Sequence, residues 1–380
     1  MSTAKNPFSR RGALLAGTAA LAGGLGMAAQ AHAAVRTPQG AADPLVSLTP
    51  AQRAGQRVIY SYAGLTPSTQ LMDAISGGRI AGVIFFGENI QSASQIKGVI
   101  QDMIDASASA PIKAPLLFMT DQEGGQVRRL PGEPVLSAKD VGSSSDPKGE
   151  ATDTGTGAGD NLLSAGMNVN LAPVLDVYRT AGDFEDQFER SYSKDASVVS
   201  TCGSAFIKAQ QATGVAATAK HFPGLGPASS SQNTDLRAVT LTTSASTLRS
   251  VDEAPYTSAI SAGVKLVMLS WAIYPALDSK LPAGLSPTVV GELRNRLGFK
   301  GVTITDALEA GALQSFGGVG ERAVAAAKAG MDLILCSGRD SDQGHDAVAA
   351  LRDALADGSL DGTAFDAGAT RVNALRSSLA

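Results

Sequence analysis

The sequence predicts a single-domain α/β protein, a (β/α)8 barrel of the TIM type. Two observations predict it: eight short apolar runs recur with helix-like segments between them, and polar residues crowd just after several of those runs. Continuous apolar strands that alternate with helices imply a parallel sheet buried on both faces. Eight such units closing on themselves make a barrel, whose functional residues sit at the C-terminal ends of the strands.

The N-terminus comes first. Ser9-Arg10-Arg11-Gly12-Ala13-Leu14-Leu15 is a twin-arginine pattern, followed by an Ala/Gly/Leu-rich stretch and the small residues Ala31-His32-Ala33 of an A-x-A cleavage site. Residues 1–33 are therefore expected to be an export signal, 34–48 a flexible segment and 49–380 the barrel. The stretch is too glycine-rich and too weakly apolar for a permanent membrane span. No stable membrane anchor is expected, and the protein is placed outside the cell or at its wall. Without residues 1–33 the chain keeps 28 of its 31 basic residues against 35 acidic ones, a net charge of −7. Such a surface repels phosphate backbones, which excludes a nucleic-acid partner. Nothing in it asks for more than a monomer. Cys202 and Cys336 do not make a disulfide framework, although an oxidising compartment would permit one bridge.

The eight runs are residues 58–63, 82–86, 116–120, 167–172, 215–220, 264–270, 301–305 and 332–336, rich in Val, Ile, Leu and Phe. Amphipathic helices are predicted over 94–106, 195–213, 288–297 and 319–329. The third run is followed by Asp121-Gln122-Glu123-Gly124-Gly125-Gln126-Val127-Arg128-Arg129, and the fourth by Pro173 and Asp176. The fifth ends in Lys220-His221-Phe222-Pro223-Gly224, and the seventh in Thr305-Asp306-Ala307-Leu308. Acidic residues are poor strand formers. Several of them on one rim point to function.

Other chemistries find little support. Gly124-Gly125 permits a tight turn or a close backbone approach, but neither G-x-G-x-x-G nor a P-loop surrounds it. After the signal only His221 and His345 remain, without ligand spacing, so no metal and no cofactor are expected. His345, in Ser341-Asp342-Gln343-Gly344-His345, reads as part of a solvated turn. A serine hydrolase would need a G-x-S-x-G elbow, which is missing.

Residues 121–129, 170–176, 220–226 and 301–308 resemble the signature stretches of glycoside hydrolase family 3. The single-domain β-N-acetylglucosaminidases are the nearest branch, and the similarity runs in order from about residue 50 to residue 375. The resemblance implies a retaining enzyme that releases a terminal β-linked sugar through a covalent glycosyl-enzyme. Its substrate would be a β-linked amino sugar, or a related glycan, of the cell wall or the extracellular space. It implies Asp306 as nucleophile and Asp121, Arg129, Arg190, Lys220 and His221 as sugar-binding residues. These roles fit physically, because carboxylates accept hydrogen bonds from sugar hydroxyls while Arg and Lys donate to them. The competing readings are a rim of structural ion pairs and, for Asp306, an N-cap of a helix starting near Ala307.

The sequence departs from that branch at the proton donor. The branch carries an Asp-x-His dyad on the loop beyond the Lys-His-Phe-Pro-Gly run, and residues 224–236 hold no histidine. Counted without gaps, Ser231 and Asn233 take the dyad positions; with a two-residue insertion, Asn233-Thr234-Asp235 takes them. Neither Ser nor Asn supplies a useful proton at neutral pH. Asp235 does so if burial or nearby negative charge raises its pKa. The alternatives are a solvated loop aspartate at 235 and another acid, Glu123 or Glu309. Two functions follow: a hydrolase with an altered acid/base, or a non-hydrolytic sugar-binding barrel. Asp306 favours the hydrolase, since a binder needs no nucleophile.

Overall fold

Eight parallel strands form the centre of the molecule: β1 Val58–Tyr60, β2 Gly82–Ile84, β3 Leu117–Thr120, β4 Val169–Asn170, β5 Ala216–Phe222, β6 Leu266–Leu269, β7 Val302–Thr305 and β8 Ile334–Leu335. The computed structural model describes residues 47–379. The signal expected at 1–33 lies outside them, as does most of the segment to residue 48. Seven strands fall inside their predicted runs and are shorter than them, because the apolar run continues into connections that are themselves buried; β5 instead continues two residues past its run of 215–220, through His221 and Phe222.

The strands lie in the order β7-β6-β5-β4-β3-β2-β1-β8, every pair parallel. The last and first members meet as well. Ile304 bridges Leu333, Thr305 N–H donates to Leu333 O at 3.0 Å and Leu333 N–H to Thr303 O at 2.9 Å. The sheet is a closed barrel.

Period-two alternation divides the strands' side chains between two cores. Ile59, Ile84, Leu117, Met119, Val169, Leu266, Met268, Val302, Ile304 and Leu335 point inward and form the barrel interior. Val58, Tyr60, Val83, Phe118, Ala217, Val267 and Ile334 pack outward against the helices. Each fully buried aliphatic side chain contributes about 1.5–3 kcal/mol, which is why both faces had to be apolar.

The helices start where capping residues allow. Ser92 caps Ala93–Ser107, Asp195 caps Ala196–Ala212 and Asp340 caps Ser341–Ala356, each accepting from a backbone N–H of the first turn. The predicted helix over 288–297 divides into Pro287–Gly291 and an i→i+5 turn over Glu292–Arg296. His345 lies within Ser341–Ala356, half-buried with its ring edge-on to Tyr60 at 5.3 Å. That corrects the solvated turn: small residues let this helix pack closely, and a Cβ at Gly344 would meet the Tyr60 ring at 2.3 Å.

The C-terminal helix Gly362–Ser377 stoppers the barrel at the N-terminal end of its strands. Val372 and Leu375 join the interior core. Arg376 donates to Pro115 O at 2.6 Å and Ala114 O at 2.7 Å. Arg57 lies over the Phe365 ring at 4.1 Å and donates to Asp332 O at 2.9 Å. With that end sealed, the opposite end is where a ligand can enter. Cys202 and Cys336 are both buried and unpaired. No helix of the described residues is long and apolar enough to cross a membrane.

Candidate active site

A cleft of about 210 Å³ opens among the strand C-termini, lined by residues that include Asp121, Arg129, Arg190, Lys220, His221, Asp235 and Asp306. All seven side chains singled out in the sequence therefore reach one cavity, although they come from the ends of four different strands, β3, β4, β5 and β7, and the connections after them.

Its floor is built first by a hairpin missing from the sequence reading. Gln122–Gly124 pairs antiparallel with Val127–Arg128, and the turn uses Gly124 at φ 109° and Gly125 at φ 52°, conformations that suit glycine. The glycine pair thus makes a tight turn. Gln122, fully buried, staples the hairpin: its Nε2 donates to Leu130 O at 3.1 Å and Glu133 O at 2.8 Å, and its Oε1 accepts from Leu130 N–H at 2.9 Å. Asn170, at the end of β4, holds the same residue through Gln122 N–H at 2.9 Å and Gln122 O at 3.0 Å. Asp121 and Arg129 are thereby fixed facing the cleft.

Three cations and their partners fill the floor. Lys220 Nζ lies 2.6 Å from Asp121 and 2.7 Å from Glu123. Arg190 forks onto Glu123 at 2.9 and 2.8 Å and reaches Glu185 at 2.7 Å. Burial alone would lift the Glu123 carboxyl, but Arg190 and Lys220 outweigh it and hold the group well below the usual carboxylate range. Glu123 is therefore an anion, unsuited to donating a proton. Arg129 is different. Its guanidinium has no ion-pair partner among the described residues, and the residue lines the cleft.

Lys220 and His221, joined by a cis peptide, close β5. His221 Nδ1 lies 2.7 Å from Asp176 Oδ2, while Asp176 Oδ1 accepts from Leu225 N–H at 2.6 Å. Burial opposes a charge on the imidazole, yet Asp176 and then Glu185 raise its pKa above the ordinary value. With Nδ1 committed to Asp176, the ring faces the cleft through its other edge. Asp176, Glu185 and His221 bring ligand-type atoms within 4.8 Å of one another, a convergence invisible in sequence spacing. A dication there would displace the His221–Asp176 bond and sit beside Arg190, so the cluster fits an ion-paired network better than a metal.

The wall opposite is made of two carboxylates without an ion-pair partner among the described residues. Asp306 leaves β7 half-buried, and its Oδ1 accepts only from the adjacent Ala307 N–H at 2.7 Å. No α-helix begins there. A 3-10 turn over Gly311–Phe316 follows instead, so the helix N-cap is not what Asp306 does. Trp271, fully buried, donates from Nε1 to Ala307 O at 2.8 Å and fixes the chain beside the carboxylate. Asp235 sits at the cleft mouth on the loop after β5, with its residue surface exposed but its carboxyl lining the cavity. Partial burial first, and then the negative charge of Asp306, raise its pKa above the ordinary aspartate value. Glu309 turns away: it accepts from Ser337 Oγ at 2.8 Å and Gln343 Nε2 at 3.1 Å and does not line the cleft.

Known proteins share this architecture. The model of the glycosyl hydrolase family 3 N-terminal domain matches residues 52–375. An uncharacterized secreted glycosyl hydrolase of Arthroderma benhamiae is 47% identical over 340 residues, 89% of this chain and 96% of that one. A glycoside hydrolase family 3 β-N-acetylglucosaminidase from Paenibacillus sp. FPU-7 superposes with a TM-score of 0.82 at 34% identity, covering 88% of this chain. This chain spans 63% of the length of that protein, less than two thirds. A β-N-acetylhexosaminidase from Beutenbergia cavernae superposes with a TM-score of 0.78 at 32% identity, covering 87% of this chain and 98% of that one.

Proposed function

Because the chain belongs to glycosyl hydrolase family 3, and is a glycoside hydrolase similar to the β-N-acetylhexosaminidases, we propose that it removes terminal β-linked N-acetylglucosamine, or a related β-sugar, with retention. One observation carries the mechanism: of the charged groups lining the cleft, Asp235 and Asp306 alone are carboxylates without a cationic partner. Every other lining carboxylate is spoken for.

In the first step the Asp306 carboxylate attacks the anomeric carbon from one face. The bond to the leaving oxygen breaks, and Asp235 gives that oxygen its proton. A retaining pair of this kind ordinarily lies about 5–5.5 Å apart. In the second step Asp235, now ionised, takes a proton from water as the water attacks the anomeric carbon and releases Asp306. The raised pKa of Asp235 suits the first half of that cycle. Asp121, Lys220, Arg129, Arg190 and His221 supply acceptors and donors for the hydroxyls and acetamido group of one sugar ring. A cleft closed at its floor holds a chain end, so action from the terminus follows. Export to the cell wall or medium, by the twin-arginine pattern, is part of the same proposal and agrees with the secreted relative. A sugar-binding barrel without chemistry is not favoured, since it leaves the unpaired Asp306 unexplained.

The test is phenol release from aryl β-N-acetylglucosaminides. Wild-type turnover, abolished in Asp306→Ala, is the expected result. Asp235→Ala should lose about 10²–10⁴-fold with poor leaving groups and little with activated ones. Undiminished turnover in Asp235→Ala with every leaving group would reject that acid/base while keeping the nucleophile. Binding without turnover, for activated substrates too, would reject the hydrolase.

A further inference from the structure

The loop that carries Asp235 hangs from the segment that leaves Asp306. Gly311 N–H donates to the carbonyl of Asp235 itself at 2.7 Å, and Ala312 N–H donates to Thr234 O at 3.0 Å. These donors open the turn Gly311–Phe316, which begins five residues beyond the β7 carboxylate. From the other side, Asp235 N–H donates to Asn233 Oδ1 at 2.7 Å. Residue 235 is thus gripped at both of its peptide groups, and Thr234 beside it is buried.

The grip depends on a missing side chain. A Cβ at position 311 would lie 2.3 Å from Leu236 O, 2.4 Å from Leu236 C and 2.9 Å from Arg237 N. All three atoms are backbone, so no rotamer change relieves the contact. The 236–237 peptide would have to withdraw by about 1 Å to reach ordinary contact distance. A displacement of that size in a reacting group costs about 10²-fold in rate. On the far side the turn is rigid, since Ala312 and Leu313 are buried. The loop would move, not the turn.

We infer that Gly311 is a positioning residue that sets the spacing between the two wall carboxylates and holds the proton donor in place before substrate arrives. The inference rests on Asp235 being the acid/base.

The experiment is a series of aryl β-N-acetylglucosaminides of rising phenol pKa, run with wild type, Gly311→Ala, Asn233→Ala, Asp235→Asn and the Gly311→Ala/Asp235→Asn double variant. A misplaced donor hurts poor leaving groups most, so Gly311→Ala should lose about 10²-fold in kcat/KM at the poor end and only a few-fold at the activated end. The loss should vanish when Asp235 is already Asn, because a donor that is gone cannot be displaced. Asn233→Ala loosens the same residue from a solvent-facing position and should steepen the series in the same sense; it decides the matter if Gly311→Ala fails to fold by circular dichroism. A uniform loss across the series, or full additivity with Asp235→Asn, overturns the role of Gly311. A flat series in Asp235→Asn instead overturns the acid/base assignment beneath it.

Discussion

At the N-terminal ends of the strands Asp332 lies between Arg294 and Arg371; at the C-terminal ends Glu123 lies between Arg190 and Lys220. Both carboxylates are almost wholly buried. Yet the Asp332 oxygen that meets Arg294 also accepts from Thr303 N–H at 2.9 Å, and the C-terminal helix covers it. Around Glu123 the satisfied charges end at a cavity, where Arg129, Asp306 and Asp235 are left without ion-pair partners among the described residues. Buried ion clusters at two ends of one barrel therefore differ in their remainder. Groups that the protein leaves unpaired, beside open space, mark the site; buried charge does not.

The largest expected effects test that contrast directly. Lys220→Met takes from Asp121 its only ion-pair partner and from Glu123 one of two and should cost about 3–5 kcal/mol of stability, and loss of a charged donor worth about 1.5–3 kcal/mol should lower kcat/KM by about 10- to 10²-fold. Asp332→Asn should cost a similar amount of stability, about 3–5 kcal/mol, with kcat/KM of the folded protein unchanged. Thermal unfolding and aryl glycoside kinetics, measured side by side, check both. If Asp332→Asn lowered kcat/KM as much as Lys220→Met, the two ends would not differ in kind.

A smaller effect concerns pH. The folded Glu123 carboxyl titrates below its unfolded value of about 4.3, so its contribution to stability is present above that pH and is lost as pH falls toward the folded value. The fall in Tm below about pH 4 should be shallower in Glu123→Gln. Asp235 shifts the opposite way. Activity needs its proton, so kcat/KM for poor leaving groups should decline as pH rises through the raised pKa, and Asp235→Asn should erase that limb. A limb that persisted in Asp235→Asn would assign it to another group.

Smaller again, Trp271→Phe removes one hydrogen bond to Ala307 O and should cost about 1 kcal/mol, with kcat reduced more than KM is raised. Trp271 is the only tryptophan, so its fluorescence in wild type should respond to sugar binding, whereas in Asp332→Asn that response should persist. Smallest of all is Leu236→Ser. This side chain is 73% exposed, and its loss should change stability by no more than about 0.5 kcal/mol.

The barrel was legible because its signal is local: an apolar run with period-two packing on both faces names a strand whatever surrounds it. The cleft residues were legible through the motif stretches that precede or follow those runs. The ion network was not. Glu185 and Arg190 bracket a short turn, Asp186–Phe188, and nothing in sequence spacing says that Glu185 will face His221 and Arg190. Gln122–Gly124 was passed over as a strand because acidic and glycine residues disfavour one; buried side chains of Gln122 and Asn170 hold it regardless. Glu123 and Glu309 could not be separated from Asp235 by type, since all are carboxylic acids. Their partners separate them, and partners are a tertiary fact.

The stopper formed by the C-terminal helix also orders events in time. Arg376 reaches Gln56 across 320 positions of sequence, and β1 takes β8 as its neighbour. A nascent chain emerging from the ribosome at about 5–20 residues per second has no cylinder to close until β8 and the helix Gly362–Ser377 are out. Partial barrels with open strand edges must wait for it, and carboxy-terminal truncation by even a few helical turns would leave the interior core facing water.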